Sequence, residues 1–221
     1  MENEAIMKVS TTKTIESKKI KNIIYLVTKR VFDIIFSLIG CLFLLPIAIF
    51  VKIANLITGD YHPMILKQPR IGQDGKEFMF YKFRSMIPNA DKALFELLEK
   101  NEDRRKEYEL NKKLENDPRI TKVGKFIRKT SIDELPQLVN ILKGDMSLIG
   151  NRPYLPREKE DMGKYFSEIV KTKPGLTGYW IINRKRDESY KDRLNLEYYY
   201  IDNQSIKLDL ICLIKTISKI I

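Results

Sequence analysis

Asp133 and Glu134 stand side by side ahead of an apolar helical run. Seven cations, Arg119, Lys122, Lys125, Arg128, Lys129, Lys143 and Arg152, crowd the same stretch of chain. A purely structural reading exists for the two acids: one caps a helix start and the other complements its dipole. The cation density points further. Cations beside a carboxylate pair keep it ionised and also form a basin for a polyanion such as a diphosphate. An ionised carboxylate can attack phosphorus, or hold a Mg²⁺ that neutralises phosphate oxygens. A helix N-terminus would add oriented N–H groups. In the following loop, GDMSLIGNRPYLP, Gly144, Gly150, Pro153 and Pro156 frame Arg152, whose guanidinium suits a bidentate grip on phosphate. Trp180 is the sole tryptophan and either stacks on a base or sugar or fills a core or interface. With His62 the one histidine, the composition argues against a histidine-based triad or metal cluster and points to carboxylates, Lys/Arg and hydroxyls for chemistry. Cys41 and Cys212 sit in apolar stretches without metal-ligand neighbours. That excludes a disulfide scaffold or zinc module and fits a reducing compartment.

These groups must be held by a chain of 221 residues with 40 Lys+Arg and 29 Asp+Glu, a net charge of +11. Residues 1–28 form a polar, basic lead-in, ending just before the pair Lys29-Arg30. Residues 31–51, VFDIIFSLIGCLFLLPIAIFV, contain one charge, Asp33, and as a helix would reach about 30 Å, enough to cross a hydrocarbon core. The run is too long for a cleaved signal peptide and no small-residue cleavage site follows it. Asp33 belongs at the headgroup level or against a partner. Basic residues flank both ends, Lys29 and Arg30 before, Lys52, Lys67 and Arg70 after, and Pro46 removes a helical hydrogen bond. Two placements stay open on these features: an ordinary span, or a helix kinked at Pro46 whose ends return to one face.

Gln73-Asp74-Gly75 predicts a hairpin turn between ILKQPRIG and KEFMFYKFRSM. Residues 88–117 carry nine acids and seven bases, with Leu94, Leu97 and Leu98 at helical spacing, and predict a charged helical insertion without chemistry of its own. In IDELPQLVNILKG, Pro136 is tolerated only in a first turn, which predicts a helix starting near Asp133 and stopping at Gly144. The tail, SIKLDLICLIKTISKII, reads equally as an amphipathic interfacial helix or as one packed in the core. Physics carries the reading to a phosphate-bearing substrate at a membrane surface.

The ordered motifs KQPRIGQDGKEFMFYKFRSM, DPRITKVGKFIRKTSIDELPQLVNILKGDMSLIGNRP and KPGLTGYW resemble those of bacterial sugar transferases of the monotopic phosphoglycosyl transferase type, over about residues 29–221. The resemblance implies an α/β mixed, mostly helical fold: a re-entrant membrane helix over 29–54 kinked at Pro46, a cytosolic-face catalytic domain over 55–221 and interfacial amphipathic helices. It implies transfer of a sugar-1-phosphate from a UDP-sugar to undecaprenyl phosphate, with release of UMP, as the first membrane step of exopolysaccharide, O-antigen or capsule assembly. It makes Asp133 the nucleophile of a covalent phosphosugar intermediate and Glu134 the Mg²⁺ ligand, and places Lys82, Arg84, Arg128 and Arg152 on substrate phosphates. The insertion at 88–117 resembles that of relatives using hexoses such as galactose or glucose. The expected location is the cytoplasmic face of a bacterial inner membrane, with the bilayer, downstream glycosyltransferases and a second copy as partners and no nucleic acid.

The chain departs from the family pattern in three places. Gly150-Asn151 replaces the usual glycine-proline before Arg152. After Trp180 the run IINRKR (181–186) replaces a glutamine and a Gly-Arg pair. The expected form is a minimal catalytic one, without the polytopic N-terminal region of longer relatives. The altered 181–186 loop prompts the competing reading of a degenerate, membrane-tethered scaffold with the same fold. The +11 charge alone would admit a nucleic-acid-binding protein. The apolar segment and the lack of any recognisable nucleic-acid module oppose it.

Overall fold

A computed structural model describes residues 2–111, 114–185 and 189–220. The chain forms two compact units. One comprises Met1–Ile39, Arg70–Phe78 and Ile141–Ile221; the other comprises Gly40–Pro69 and Met79–Asn140.

Helix α1, Glu2–Ile57, enters both units and continues through Pro46. The polar lead-in is thus helical, and the part apolar enough to cross a membrane is Ile20–Ile57, wider than the 31–51 run. At 38 residues that part would measure about 57 Å if straight, well beyond a hydrocarbon core. The strands β1, Ile65–Ile71, and β2, Glu77–Phe83, pair as the expected hairpin. Its turn carries Asp74 and Gly75 at positive φ, 57° and 74°, a conformation that suits exactly such short polar and glycine residues.

In the second unit, the insertion folds as α2, Ala90–Lys100, and α3, Glu102–Asn111, with Leu94 buried. Helix α4, Lys122–Lys129, is capped by Thr121, whose Oγ1 accepts from the Gly124 amide at 2.8 Å. Gly124 is obligatory, because a Cβ there would lie 1.9 Å from the Ser85 carbonyl oxygen. The core of this unit is Val51, Phe83, Val123 and Ile127, packed by Leu44, Ile47, Ala48 and Ala54 of α1. The later part of the apolar segment is therefore one wall of a folded core.

The predicted helix after Ser131 arrives in two pieces. A 3₁₀ turn spans Ile132–Glu134, and α5 follows at Gln137–Lys143, with Gly144 at φ +90° as its stop. Pro136 precedes α5, as its missing N–H requires. Ser131, at φ 55°, occupies the cap position before the turn, so Asp133 is not the capping residue.

In the first unit, β3, Ser147–Ile149, pairs in parallel with β4, Gly175–Thr177, in the register Ser147 to Gly175 and Ile149 to Thr177. The short helices α6, Lys159–Met162, and α7, Phe166–Ile169, lie in the connection. After β4 come α8, Tyr179–Asn183, α9, Tyr190–Asp202, and α10, Ile206–Ile220. Ile149, Ile182, Tyr200 and Cys212 form one core cluster, and Ile71, Tyr154, Met162, Ile169 and Leu194 another. Helix α10 packs one side into this core. Cys212 is buried, while Leu210, Ile214 and Ile217 stay exposed on the outer side.

The charges at the start of the apolar segment are all satisfied within this unit. Asp33 accepts from Ser147 Oγ at 3.0 Å and from the Leu148 amide at 2.8 Å. Arg30 donates to the Ile141 and Leu142 carbonyls at 2.6 and 2.8 Å, closing the C-terminal end of α5 with a cation. Asp209 of α10 accepts from Lys29 at 2.6 Å, Tyr25 at 3.0 Å and Tyr200 at 2.7 Å. A carboxylate in an otherwise apolar helix is affordable here because it has two directed donors.

Candidate active site

Asp133 is 5% exposed and its Oδ2 lies 3.0 Å from Lys82 Nζ. The lysine comes from β2 and the aspartate from the 3₁₀ turn. Asn140 sets their relative placement. Fully buried in α5, it accepts from the Tyr81 amide at 3.0 Å and donates to the Met79 carbonyl at 2.7 Å. That clip fixes the strand residues immediately before Lys82. Glu134, next in the turn, is exposed. The pair thus contains one enclosed carboxylate facing an ammonium and one at the surface.

The remaining cations divide. Arg84 directs its whole guanidinium inward: to both Asp60 carboxylate oxygens at 2.7 and 2.9 Å, to the Pro63 carbonyl at 2.8 Å and to the Met86 carbonyl at 2.9 Å. Arg84 holds the Asp60 carboxyl below the usual carboxylate range, chiefly by that hydrogen bonding. Arg128, exposed on α4, donates through Nε to Ser85 Oγ at 2.8 Å. Arg119 is not part of a basin. It is buried in a two-bonded pair with Asp117, at 2.9 and 2.6 Å, and draws that carboxyl pKa down. Lys143 pairs with Asp145 at 3.2 Å. Lys122, Lys125 and Lys129 lie exposed along α4 beside the exposed Phe126. Lys82, Arg84, Arg128, Asp133 and Glu134 all belong to the second unit, whereas Arg152 belongs to the first.

Arg152 lies in the loop after β3, and its Nε is buried with no hydrogen-bond partner among the described residues. Trp180 packs against a cation, with the Arg193 guanidinium 5.3 Å from its ring centre. Of the altered run after Trp180, Arg186 lies outside the described residues. Among the described residues no three His, Cys, Asp or Glu side chains converge into a metal cage. The donor set at hand, an exposed Glu134 beside the cation-paired Asp133, fits an ion that takes one or two carboxylates and completes its shell with water and phosphate oxygens, the habit of Mg²⁺. Sequence reasoning missed Asn140, Asp60 and Glu197. Asn140 left a trace as an amide inside the apolar face of IDELPQLVNILKG, and Glu197 as a lone acid in the aromatic run LEYYY.

The family model described as bacterial sugar transferase matches residues 24–221. The chain belongs to this family. It is 43% identical to the undecaprenyl-phosphate galactose phosphotransferase of Salmonella typhimurium, over 85% of this chain and 39% of that protein. It is 38% identical to the exopolysaccharide production protein ExoY of Rhizobium meliloti, over 86% of this chain and 83% of that one. It is 36% identical to the UDP-glucose:undecaprenyl-phosphate glucose-1-phosphate transferase of Klebsiella pneumoniae, over 90% of this chain and 41% of that relative. The chain spans about two fifths of the length of the first and third of these relatives.

Proposed function

We propose that this sugar transferase moves a hexose-1-phosphate, galactose or glucose, from a UDP-sugar to undecaprenyl phosphate at the cytoplasmic face of a bacterial membrane. The reaction would open exopolysaccharide, O-antigen or capsule assembly. The observation that carries the reading is the enclosed Asp133 held at 3.0 Å from Lys82, within the stretch that the family model matches. A carboxylate with an ammonium 3.0 Å away and no directed hydrogen bond among the described residues is suited to nucleophilic attack.

In the first half-reaction an Asp133 carboxylate oxygen attacks the sugar-bearing phosphorus. The bond from that phosphorus to the bridging oxygen breaks, UMP leaves with that oxygen, and a sugar-phosphoryl aspartate remains. In the second, a phosphate oxygen of undecaprenyl phosphate attacks the same phosphorus and the Asp133 carboxylate is regenerated. One nucleophile serves both halves because the two phosphates arrive in turn. Lys82 orients Asp133 before attack and turns to phosphate oxygens during it. Arg128 and Arg152 contact phosphate. Arg84, with its donors directed to Asp60, Pro63 and Met86, braces the end of β2. Mg²⁺ held through Glu134 would neutralise charge on the diphosphate oxygens.

The membrane arrangement in this reading is re-entrant, with the kink at Pro46. Supporting it, the segment is fastened to folded polar chain on both sides of its apolar middle: Arg30 and Asp33 bond residues 141–148, and Val51 packs on Phe83 and Ile127. Between them Leu38, Leu42, Phe43 and Leu45 are exposed apolar side chains suited to lipid. The exposed apolar side of α10 and Phe126 of α4 with its lysines would lie in the interface. An N-terminal epitope reachable from outside intact cells would sink this arrangement; access only after lysis is expected.

The deciding experiment is UMP release by detergent-solubilised protein with Mg²⁺, undecaprenyl phosphate, and UDP-galactose or UDP-glucose. Release that is lost with EDTA and in Asp133→Asn is expected. Silence from folded protein across UDP-sugars would favour the degenerate scaffold.

A further inference from the structure

The loop that carries Arg152 is held residue by residue. The Gly150 amide donates to the Thr177 carbonyl at 2.9 Å, and the Asn151 carbonyl accepts from the Gly175 amide at 2.7 Å. The Arg152 amide donates to Glu197 Oε1 at 3.3 Å. The Pro153 carbonyl accepts from Arg70 at 2.9 Å, and the Tyr154 carbonyl accepts from the Ile71 amide at 2.8 Å. Five consecutive main-chain positions are thus fixed, while the Arg152 Nε has no partner among the described residues. Four of these ties use neutral backbone groups or a cation. The one at Arg152 itself uses a carboxylate, and that carboxylate is 1% exposed.

Burying a carboxylate costs several kcal/mol unless its oxygens are well satisfied, and a serine or asparagine would accept an amide N–H at lower cost. The surroundings of Glu197 show what the charge is arranged around. Its Oε2 accepts from the Tyr154 hydroxyl at 2.6 Å. Arg193, one turn earlier on α9, lays its guanidinium over Tyr154 at 5.3 Å, over Tyr190 at 4.6 Å and over Trp180 at 5.3 Å from the ring centres. The arginine therefore stacks on the aromatic that binds the carboxylate.

We propose that Glu197 is a positioning residue: with Tyr154 and Arg193 it sets the main chain at Arg152 so that the Arg152 guanidinium is presented, already ordered, to a phosphate of the substrate. The proposal rests on the reading of Arg152 as a phosphate contact, and it deepens that reading by naming what orders the contact. It predicts energetic coupling between two residues that touch only through a backbone amide, since removing the order of Arg152 matters only while Arg152 has a guanidinium to place.

The test uses the full chain in detergent, with UMP release measured against UDP-galactose and UDP-glucose for Glu197→Gln, Tyr154→Phe, Arg152→Ala and the double variants. Arg152→Ala is expected to lower kcat/KM by about 100-fold, the scale of a lost charge-assisted phosphate contact. Tyr154→Phe, which removes one hydroxyl and preserves the packing, is expected to lower kcat/KM by about 5-fold, and Glu197→Gln by about 10-fold, mostly through KM. In the Arg152→Ala background each should change kcat/KM by less than about 2-fold, with melting temperatures setting aside unfolding. Losses that multiply in the double variants, or Tyr154→Phe at the wild-type value, would overturn the positioning role. Wild-type kcat/KM in Arg152→Ala would instead remove the phosphate contact on which it rests.

Discussion

Two enclosed carboxylates in this molecule are treated in opposite ways. Asp133 sits in a three-residue turn and meets a lysine, a point charge on a flexible stem, at 3.0 Å. Glu197 sits in the middle of a 13-residue helix and meets a tyrosine hydroxyl at 2.6 Å and a backbone amide at 3.3 Å. Both are nearly inaccessible, at 5% and 1%. An ammonium ion can follow the negative charge when it moves onto a phosphate, so a carboxylate paired to lysine keeps its freedom to react. Directed hydrogen bonds from rigid groups instead fix a carboxylate in place. On the proposed reading the difference separates a residue placed for chemistry from one placed to hold another residue still, a distinction that burial alone does not make.

The largest effect that distinction predicts is at Asp133. Asparagine preserves shape and removes the proposed nucleophile, so UMP release should fall by at least about 1,000-fold with melting and membrane binding unchanged. Retained turnover would place Asp133 with Glu197 among the holding residues. Lys82→Met keeps the stem and deletes the charge; a loss on the order of 100-fold in rate is expected, read from initial rates at saturating UDP-sugar. A loss confined to stability would reduce the lysine to a structural partner. Asn140→Ala tests the clip behind both: it strands the Tyr81 amide and the Met79 carbonyl, which should destabilise the protein by about 2 kcal/mol and lower turnover less than Lys82→Met does. Greater damage to rate than from Lys82→Met would make the clip, and not the charge, the decisive element.

Much of this was legible beforehand, and the remainder was hidden for physical reasons. The hairpin at Gln73–Gly75, the helical insertion and the stop at Gly144 follow from turn chemistry and periodicity, which act over a few residues. The family motifs gave Asp133 and Lys82 separate roles, and the pair between them was not expected, because 51 positions separate its members and spacing does not report contacts of that range. Two expectations shifted in detail. The helix proposed to start at Asp133 begins as a 3₁₀ turn, which takes the aspartate off the cap and frees its carboxylate for Lys82. Arg119 counted as one of the cations of a basin, whereas Asp117 two residues earlier takes its charge inside the fold. Arg84 has its donors directed to Asp60 and two carbonyls, a satisfaction no sequence pattern signals. Glu197 left only its place in LEYYY as a trace, because one acid in an aromatic helix reads as a solvated position; only the fold turns it inward.

The smallest expected effect concerns the pH dependence of stability. Burial pushes the Glu197 carboxyl up from 4.5 to about 7, against the opposing pull of Tyr154, Arg193 and Arg152. The folded state therefore holds a proton that the unfolded chain has already lost between those two values. Stability from this group is complete below about pH 4.5 and is lost as pH rises towards 7, levelling off above it. Between pH 6 and pH 8 the loss should be about 1 kcal/mol. Trp180, the sole tryptophan, lies in the same unit as Glu197, so its fluorescence during melting reports on that unit. The wild-type melting temperature should fall across that interval and the Glu197→Gln variant should lack that component, whereas Asp133→Asn should leave it in place. Equal slopes for wild type and Glu197→Gln would show that Glu197 does not titrate in this range. If the wild type alone carries the slope, the ionised form that accepts both the tyrosine and the Arg152 amide is the less stable one. The order at Arg152 would then be maintained at the expense of stability, as expected of a group retained for function and not for folding.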